Sequence, residues 1–264
     1  MKKYFYAVIA VCFLACNSET KDSTTKKSSS DTTKAATTAD ANNAVTGCGN
    51  SILFKEGTIV EASNYDGAGK ETGKSISTVL KVSEDGGMTM AEMESKTTRD
   101  NDKDEKTVHP IYKCDGQNFI VDIADLLRNE KQDVSIEGSG ITFPLTVSVG
   151  ETLPVVNYIM KMKTGEQTMT INSTIKDRKV EAKESLTVSG QSIETYKISS
   201  VVDASVDIPG MNDLMKKSME EAKKNMGQSK MIIWYAPNLT VLKMDFYMGD
   251  KLINRNVVTA IKSK

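Results

Sequence analysis

The chain has 264 residues, 34 of them basic and 35 acidic, for a net charge of −1. That balance leaves no basic patch for nucleic acid and no acidic block for a polycationic partner. The residues from 48 onward suffice for one sizeable all-β domain or two small ones.

The N-terminus carries an address. Lys2 and Lys3 precede an apolar run from Tyr4 to Leu14, then Ala15 and Cys16. This is a secretory signal layout, too short to span a bilayer as a mature helix. Phe13-Leu14-Ala15-Cys16 resembles the lipobox of bacterial lipoproteins. The resemblance implies that residues 1–15 are a signal peptide and that Cys16 carries a diacylglycerol. Each buried methylene contributes ~0.8 kcal/mol, and two acyl chains suffice for stable attachment. The partner implied is thus the membrane itself, through the N-terminal lipid. Asn17 stands where the lipoprotein sorting rule places an Asp for inner-membrane retention. No acidic cluster follows Cys16. Both features favour the outer membrane with the domain facing the periplasm, the cell surface remaining as the alternative.

Residues 16–47 hold the lipidated cysteine and a Ser/Thr/Lys-rich tether whose only large aliphatic residue is Val45. Such a segment cannot bury enough apolar surface to offset its ordering entropy, so disorder is expected. As a coil its ends lie roughly 30 Å apart. Asp22-Ser23-Thr24 and Asp31-Thr32-Thr33 look like a short bacterial O-glycosylation acceptor, although chance explains them in so Ser/Thr-rich a tract. Of four cysteines, Cys12 leaves with the signal and Cys16 is acylated. Cys48 and Cys114 remain, either as a disulfide permitted by an exported compartment or as two separate buried thiols.

Residues 48–264 read as a single domain, strand after strand. Thr58–Tyr65 leads into the turn Asp66-Gly67-Ala68-Gly69-Lys70, and Ser75–Val82 alternates up to Asp85-Gly86-Gly87. Met88-Thr89-Met90-Ala91 opens a third strand. Arg99–Lys106 is a charged hairpin tip. Val108–Lys113 and Asn118–Asp122 are short strands, and Ile123–Leu127 suggests one or two helical turns. Phe143-Pro144-Leu145 and Leu153-Pro154-Val155 bracket a further short strand. Val156–Met162, Thr168–Lys176, Lys179–Val188 and Ile193–Val206 follow, separated by Thr164-Gly165, Asp177-Arg178 and Ser189-Gly190-Gln191. One long helix, Met211–Met226, starts after Pro209-Gly210 and stops at Gly227. Met211, Leu214, Met215, Met219, Ala222 and Met226 share one stripe at helical spacing. Strands resume at Lys230–Tyr235, Val241–Tyr247 and Leu252–Ile261. The pattern predicts a mainly β fold, an antiparallel meander, with no strand-helix alternation of a nucleotide-binding fold.

Ile233-Trp234-Tyr235-Ala236-Pro237-Asn238-Leu239-Thr240-Val241-Leu242-Lys243, with Phe246-Tyr247, resembles the C-terminal motif of the TapB-like family of exported bacterial proteins, with Thr240 in place of the family's usual Gly. Tyr65-Asp66-Gly67-Ala68-Gly69-Lys70 resembles a hairpin of that family, and Leu186–Gln191 with Tyr196-Lys197-Ile198 a third element. The resemblance implies a curved antiparallel sheet or half-barrel holding one or more helices, similar to folds that cradle acyl chains. The long helix is then expected on its concave face. No catalytic residues transfer from the family.

Signals for catalysis are sparse. His109 is the only histidine, no Gly-x-Ser-x-Gly elbow is present, and one histidine does not make the usual zinc site. The residues thus point to no enzyme, no metal and no cofactor. Methionine is abundant, at 14 residues. Met88 and Met90 share a strand face, as do Met160 and Met162. Plain core packing explains this. An apolar cavity lined by Met88, Met90, Met160, Met162, Met211, Leu214, Met215, Met219 and Trp234, taking a lipid or other amphiphile, explains it as well. A thioether copper site is the least supported reading. The functional expectation is a non-catalytic lipoprotein that binds an apolar ligand between sheet and helix. The alternative is a structural or assembly protein that contacts another envelope protein and whose groove is only its core.

Overall fold

The computed structural model describes residues 47–100, 105–122, 134–138, 140–164, 167–226, 228–237 and 239–263. The lipobox with Cys16, the tether, residues 101–104 of the expected tip and the helical turns expected at 123–127 lie outside these residues. Among the described residues no helix is long and apolar enough to cross a membrane.

Among the described residues, two short 3-10 turns, Cys48–Asn50 and Ile52–Phe54, lead into fourteen antiparallel strands. These are β1 (Ile59–Asp66), β2 (Glu71–Asp85), β3 (Met88–Arg99), β4 (Lys106–Val108), β5 (Ile111–Cys114), β6 (Asn118–Val121) and β7 (Val134–Gly138). Then come β8 (Ile141–Pro144), β9 (Val156–Thr164), β10 (Gln167–Val188), β11 (Gln191–Asp207), helix α1 (Asp213–Met226), β12 (Ser229–Ala236), β13 (Thr240–Met248) and β14 (Lys251–Lys262). They form one open sheet in the order β7-β9-β10-β11-β12-β13-β14-β1-β2-β3-β5-β6-β8, with β4 paired to β3. The mainly β class expected from alternation is what the chain adopts.

Local chemistry explains the meander. At the β2–β3 turn Gly86 and Gly87 both have positive φ, 57° and 83°, as a two-residue hairpin turn matched to strand twist requires. Asp66 closes the β1–β2 turn by accepting from the Ala68 and Lys70 amides at 3.0 and 2.9 Å. Asp115 does the same before β6, accepting from Gln117 and Asn118 at 2.8 and 2.6 Å.

Two expectations are corrected. No strand forms between Leu145 and Val155; the segment makes only an isolated bridge, Thr152 to Lys179. Asp177-Arg178 is not a turn either. It is a bulge inside the 22-residue strand β10, with Asp177 at φ 52° and the register to β11 jumping between Lys176 and Lys179. A bulge shifts the side-chain alternation by one. Ile171, Ser173 and Ile175 are buried before it, Arg178 and Val180 after it. Arg178 therefore points inward, 1% exposed.

The core lies on one side of the sheet. Leu53 and Phe54 of the second 3-10 turn are buried there, and Phe54 meets Phe119 edge-on at 6.4 Å. Phe119 continues to Tyr112 and Phe143, and Phe143 stacks on Tyr235 at 5.0 Å. The entering segment is held by the Cys48–Cys114 disulfide, Cα atoms 5.8 Å apart, and by Thr58 donating to the Ile52 carbonyl at 2.9 Å. A second cluster, Ala62, Val188, Ala236, Leu242 and Val258, joins the β10–β11 tip to β1, β13 and β14.

The helix does not cover the sheet as expected. Leu214 is 78% and Met215 54% exposed. On the core side the disulfide-held 3-10 segment supplies apolar contact instead, with Leu53 and Phe54 packed against β2 and β3.

Candidate functional site

The nominated ligand-binding residues are not brought together. Met160 is fully buried in the core, with Met162 two residues on and partly covered. On β3 the core takes Ala91 and Met93. Met88 (40% exposed) and Met90 therefore lie on the opposite face, since strand side chains alternate. Trp234 also faces away from the core, because its neighbours Ile233 and Tyr235 face in. Met211 and Met219 are half-buried, while Leu214 and Met215 stand open to solvent.

Trp234 instead centres a polar ladder across five strands. Its indole Nε1 donates to Glu184 Oε2 at 2.7 Å, and Lys197 Nζ reaches Glu184 Oε1 at 3.2 Å. Lys243 Nζ lies 3.7 Å from the indole ring centroid, with Lys197 Nζ at 5.5 Å. Lys243 also reaches Asp245 at 3.4 Å. Asp245 is buried and accepts from Arg255 Nε and Nη2 at 2.7 and 2.8 Å, a paired geometry suited to a desolvated carboxylate. Tyr247 OH approaches the same carboxylate at 3.4 Å.

Register explains the assembly. Lys197 pairs with Trp234, Trp234 with Lys243, and Asp245 with Arg255. Cross-strand neighbours sit about 4.5–5.5 Å apart at Cβ. The charges match the contacts. The indole N–H, then Lys197 and Lys243, hold the Glu184 carboxyl below its ordinary range. The Asp245 hydrogen bond raises Arg255. Beside the ladder, Tyr65, Asp66, Gly69, Leu252, Arg255 and Val257 line a shallow depression of about 270 Å³.

The ladder is an ion-paired patch in which Trp234, 6% exposed, and Asp245 are covered by the charged side chains around them. Glu184 and Asp245 are both ion-paired, to Lys197 and Arg255 respectively. His109 stands on the surface, 3.9 Å from Glu94. Among the described residues no group of three or more His, Cys, Asp or Glu is placed to hold a metal. Trp234 was singled out in the sequence as a site residue; Lys197 and Lys243 appeared only within the family motifs, and Glu184, Asp245 and Arg255 were not singled out. Their partners lie up to 50 residues away, and only strand register brings them together.

Two crystal structures share the fold. One is a Bacteroides fragilis protein described as exported and of YmcC-like fold, 17% identical, covering 79% of this chain and 97% of its own at a TM-score of 0.58. The other is described as a lipoprotein of Parabacteroides distasonis, 16% identical, covering 80% and 99% at a TM-score of 0.59. No curated protein matches the chain. Residues 55–254 match the sequence model described as DUF3108-like. That span takes in the Tyr65–Lys70 hairpin, the Leu186–Ile198 element and the Trp234 motif, so the chain belongs to the DUF3108-like family.

Proposed function

We propose that the protein is a lipid-anchored, periplasm-facing protein of the outer membrane that works as a non-catalytic interaction or assembly module. The observation that carries this reading is the filled core side of the sheet. Leu53, Phe54, Phe119, Phe143 and Tyr235 pack there with Arg178, and Arg178 lies 5.4 Å over the Phe143 ring. A carrier of an acyl chain needs apolar space at that place, and a pocket for a drug-sized ligand spans about 300–1,000 Å³. The apolar or amphiphilic ligand expected between sheet and helix thus competes with the protein's own side chains. The lipobox supplies attachment, and the half-exposed charges of Glu184, Lys197 and Arg255, set around the covered Trp234, supply a polar surface for an envelope partner.

Membrane attachment is tested by metabolic labelling with palmitate in the native host. The chain takes up label and fractionates with the outer membrane, whereas Cys16→Ala stays unlabelled and soluble. Native mass spectrometry of the Cys16→Ala chain then shows no bound lipid. A stoichiometric co-purified acyl compound returns the carrier reading. A soluble, unlabelled wild-type chain sinks the anchored one.

A further inference from the structure

We infer that the exposed apolar face of α1 is an interfacial element that lies on the bilayer to which the chain is anchored; this rests on Cys16 being lipidated. At about 100° per residue, Leu214, Met215 and Met219 fall in one arc, with Ser218 between them. Lys216 follows on one side of that arc and Lys217 and Lys224 on the other, all exposed. Asp213 and Glu220 lie opposite, and the exposed Glu221 stands at the arc's edge between Lys217 and Leu214. Lysines that border an apolar stripe can keep their stems over acyl chains and their ammonium groups among phosphates, and Lys217 and Lys224 flank the one carboxylate on that edge. A helix seated in a protein core has no need of such borders, and Leu214 is 78% exposed.

The topology says how the helix reaches the lipid. α1 joins the end of β11 to the start of β12, at the strand ends marked by the Met248–Lys251 hairpin, since Ser229 pairs with both Val202 and Met248. The chain enters at the opposite strand ends, where Cys48 is bonded to Cys114 and Cys114 pairs with Thr89. Strand β2 spans the same direction and is about 45 Å long. The chain from Cys16 to Cys48 has a contour of about 100 Å. The tether is therefore long enough to bring the far end of the domain down onto its own membrane. Anchoring supplies the local concentration that so short a helix, without aromatic residues, lacks on its own.

The test uses the full lipidated chain on vesicles of phosphatidylethanolamine and phosphatidylglycerol, with flotation and hydrogen exchange read together. The Cys16→Ala chain in buffer is the reference. The amides of Asp213–Met226 are expected to exchange at least about tenfold more slowly on vesicles. The double variant Leu214→Glu, Met215→Glu floats equally well, loses that protection, and leaves the sheet amides unchanged. A chain that floats with its helix exchanging as in the reference overturns this inference alone. A chain that fails to float overturns the anchor and the inference with it. Helix protection that rises with protein concentration in the Cys16→Ala chain without vesicles assigns the face to a second copy instead, and also overturns it.

Discussion

Arg178 Nη2 donates to the Thr142 carbonyl at 2.8 Å, and its Nη1 to the Pro154 carbonyl at 2.9 Å. Thr142 belongs to β8, the last strand of the sheet at one edge, while Arg178 lies on β10, third from the other edge. One buried side chain thus ties opposite ends of an open sheet. The two edge strands are also consecutive in the chain, β7 ending at Gly138 and β8 starting at Ile141. The sheet curls until its edges almost meet, linked by two residues and the guanidinium, without a ladder between them.

Replacing Arg178 with Met keeps much of the volume but leaves two buried carbonyls without their donors. Each such loss costs about 1–3 kcal/mol. Arg178→Met is expected to lower unfolding free energy by about 3 kcal/mol in urea titration. Burial pulls the guanidinium down to about 10, so it stays charged at neutral pH and a neutral side chain cannot replace its donors. A change under about 0.5 kcal/mol would show that the tie contributes nothing.

Gly138 and Gly140 stand where the chain crosses from one edge to the other. A Cβ at Gly138 would come within 2.4 Å of the Asn157 carbonyl oxygen and 2.7 Å of Tyr158 Cα, at φ 144°. Both obstacles are backbone and cannot rotate away. Gly138→Ala is expected to cost more than about 2 kcal/mol, against a few tenths for an alanine at the exposed Gly49, where no atom lies within 4 Å. Thermal melts of the two variants side by side decide it.

Tyr235 OH is buried without a hydrogen-bond partner among the described residues. Tyr235→Phe is expected to be neutral or to stabilise by up to about 1 kcal/mol, because it removes an unsatisfied polar group and keeps the stack on Phe143. Burial raises the Tyr235 phenol above its ordinary value and pushes Tyr112, a residue only partly covered, up to about 12. Above pH ~10 the unfolded chain loses these protons first. The folded state then holds more protons, so stability falls as pH rises. Each phenol contributes a slope of up to about 1.4 kcal/mol per pH unit. The Tyr112→Phe, Tyr235→Phe double variant should flatten that slope between pH 10 and about 12, read from urea midpoints.

The Cys48–Cys114 bridge closes a sequence separation of 66 and pins the 3-10 segment that fills the core. On the chain-entropy account it is worth at most ~4 kcal/mol. Reducing the Cys16→Ala chain should lower its stability by a few kcal/mol and expose Phe54 and Leu53. Thiol titration of the denatured, unreduced ectodomain, residues 17–264, should find none. Two titratable thiols would refute the bridge.

Strand identity was legible because alternation is local. Asp85-Gly86-Gly87, Ser189-Gly190 and the run Leu252–Ile261 carry their own period and turn chemistry. Asp177-Arg178 was not legible, since a bulge and a turn use the same polar residues and only the partner strand distinguishes them. Met88 and Met90 show the same boundary. Alternation puts them on one face, but nothing local says which face is buried. Bulges such as those at Asp177 and between Val79 and Lys81 shift the phase along a strand.

By itself the sequence determined the mainly β class, most of the turns and the long helix. Each depends on neighbours within a few residues. Tertiary structure decided which side of the sheet became the core, that a 3-10 segment and not the helix fills it, and that Trp234 heads an outward ladder with Glu184, Lys243 and Asp245. Those outcomes depend on register and curl, in which residues far apart in the chain compete for the same apolar volume, and packing settles that competition only when the whole sheet is in place.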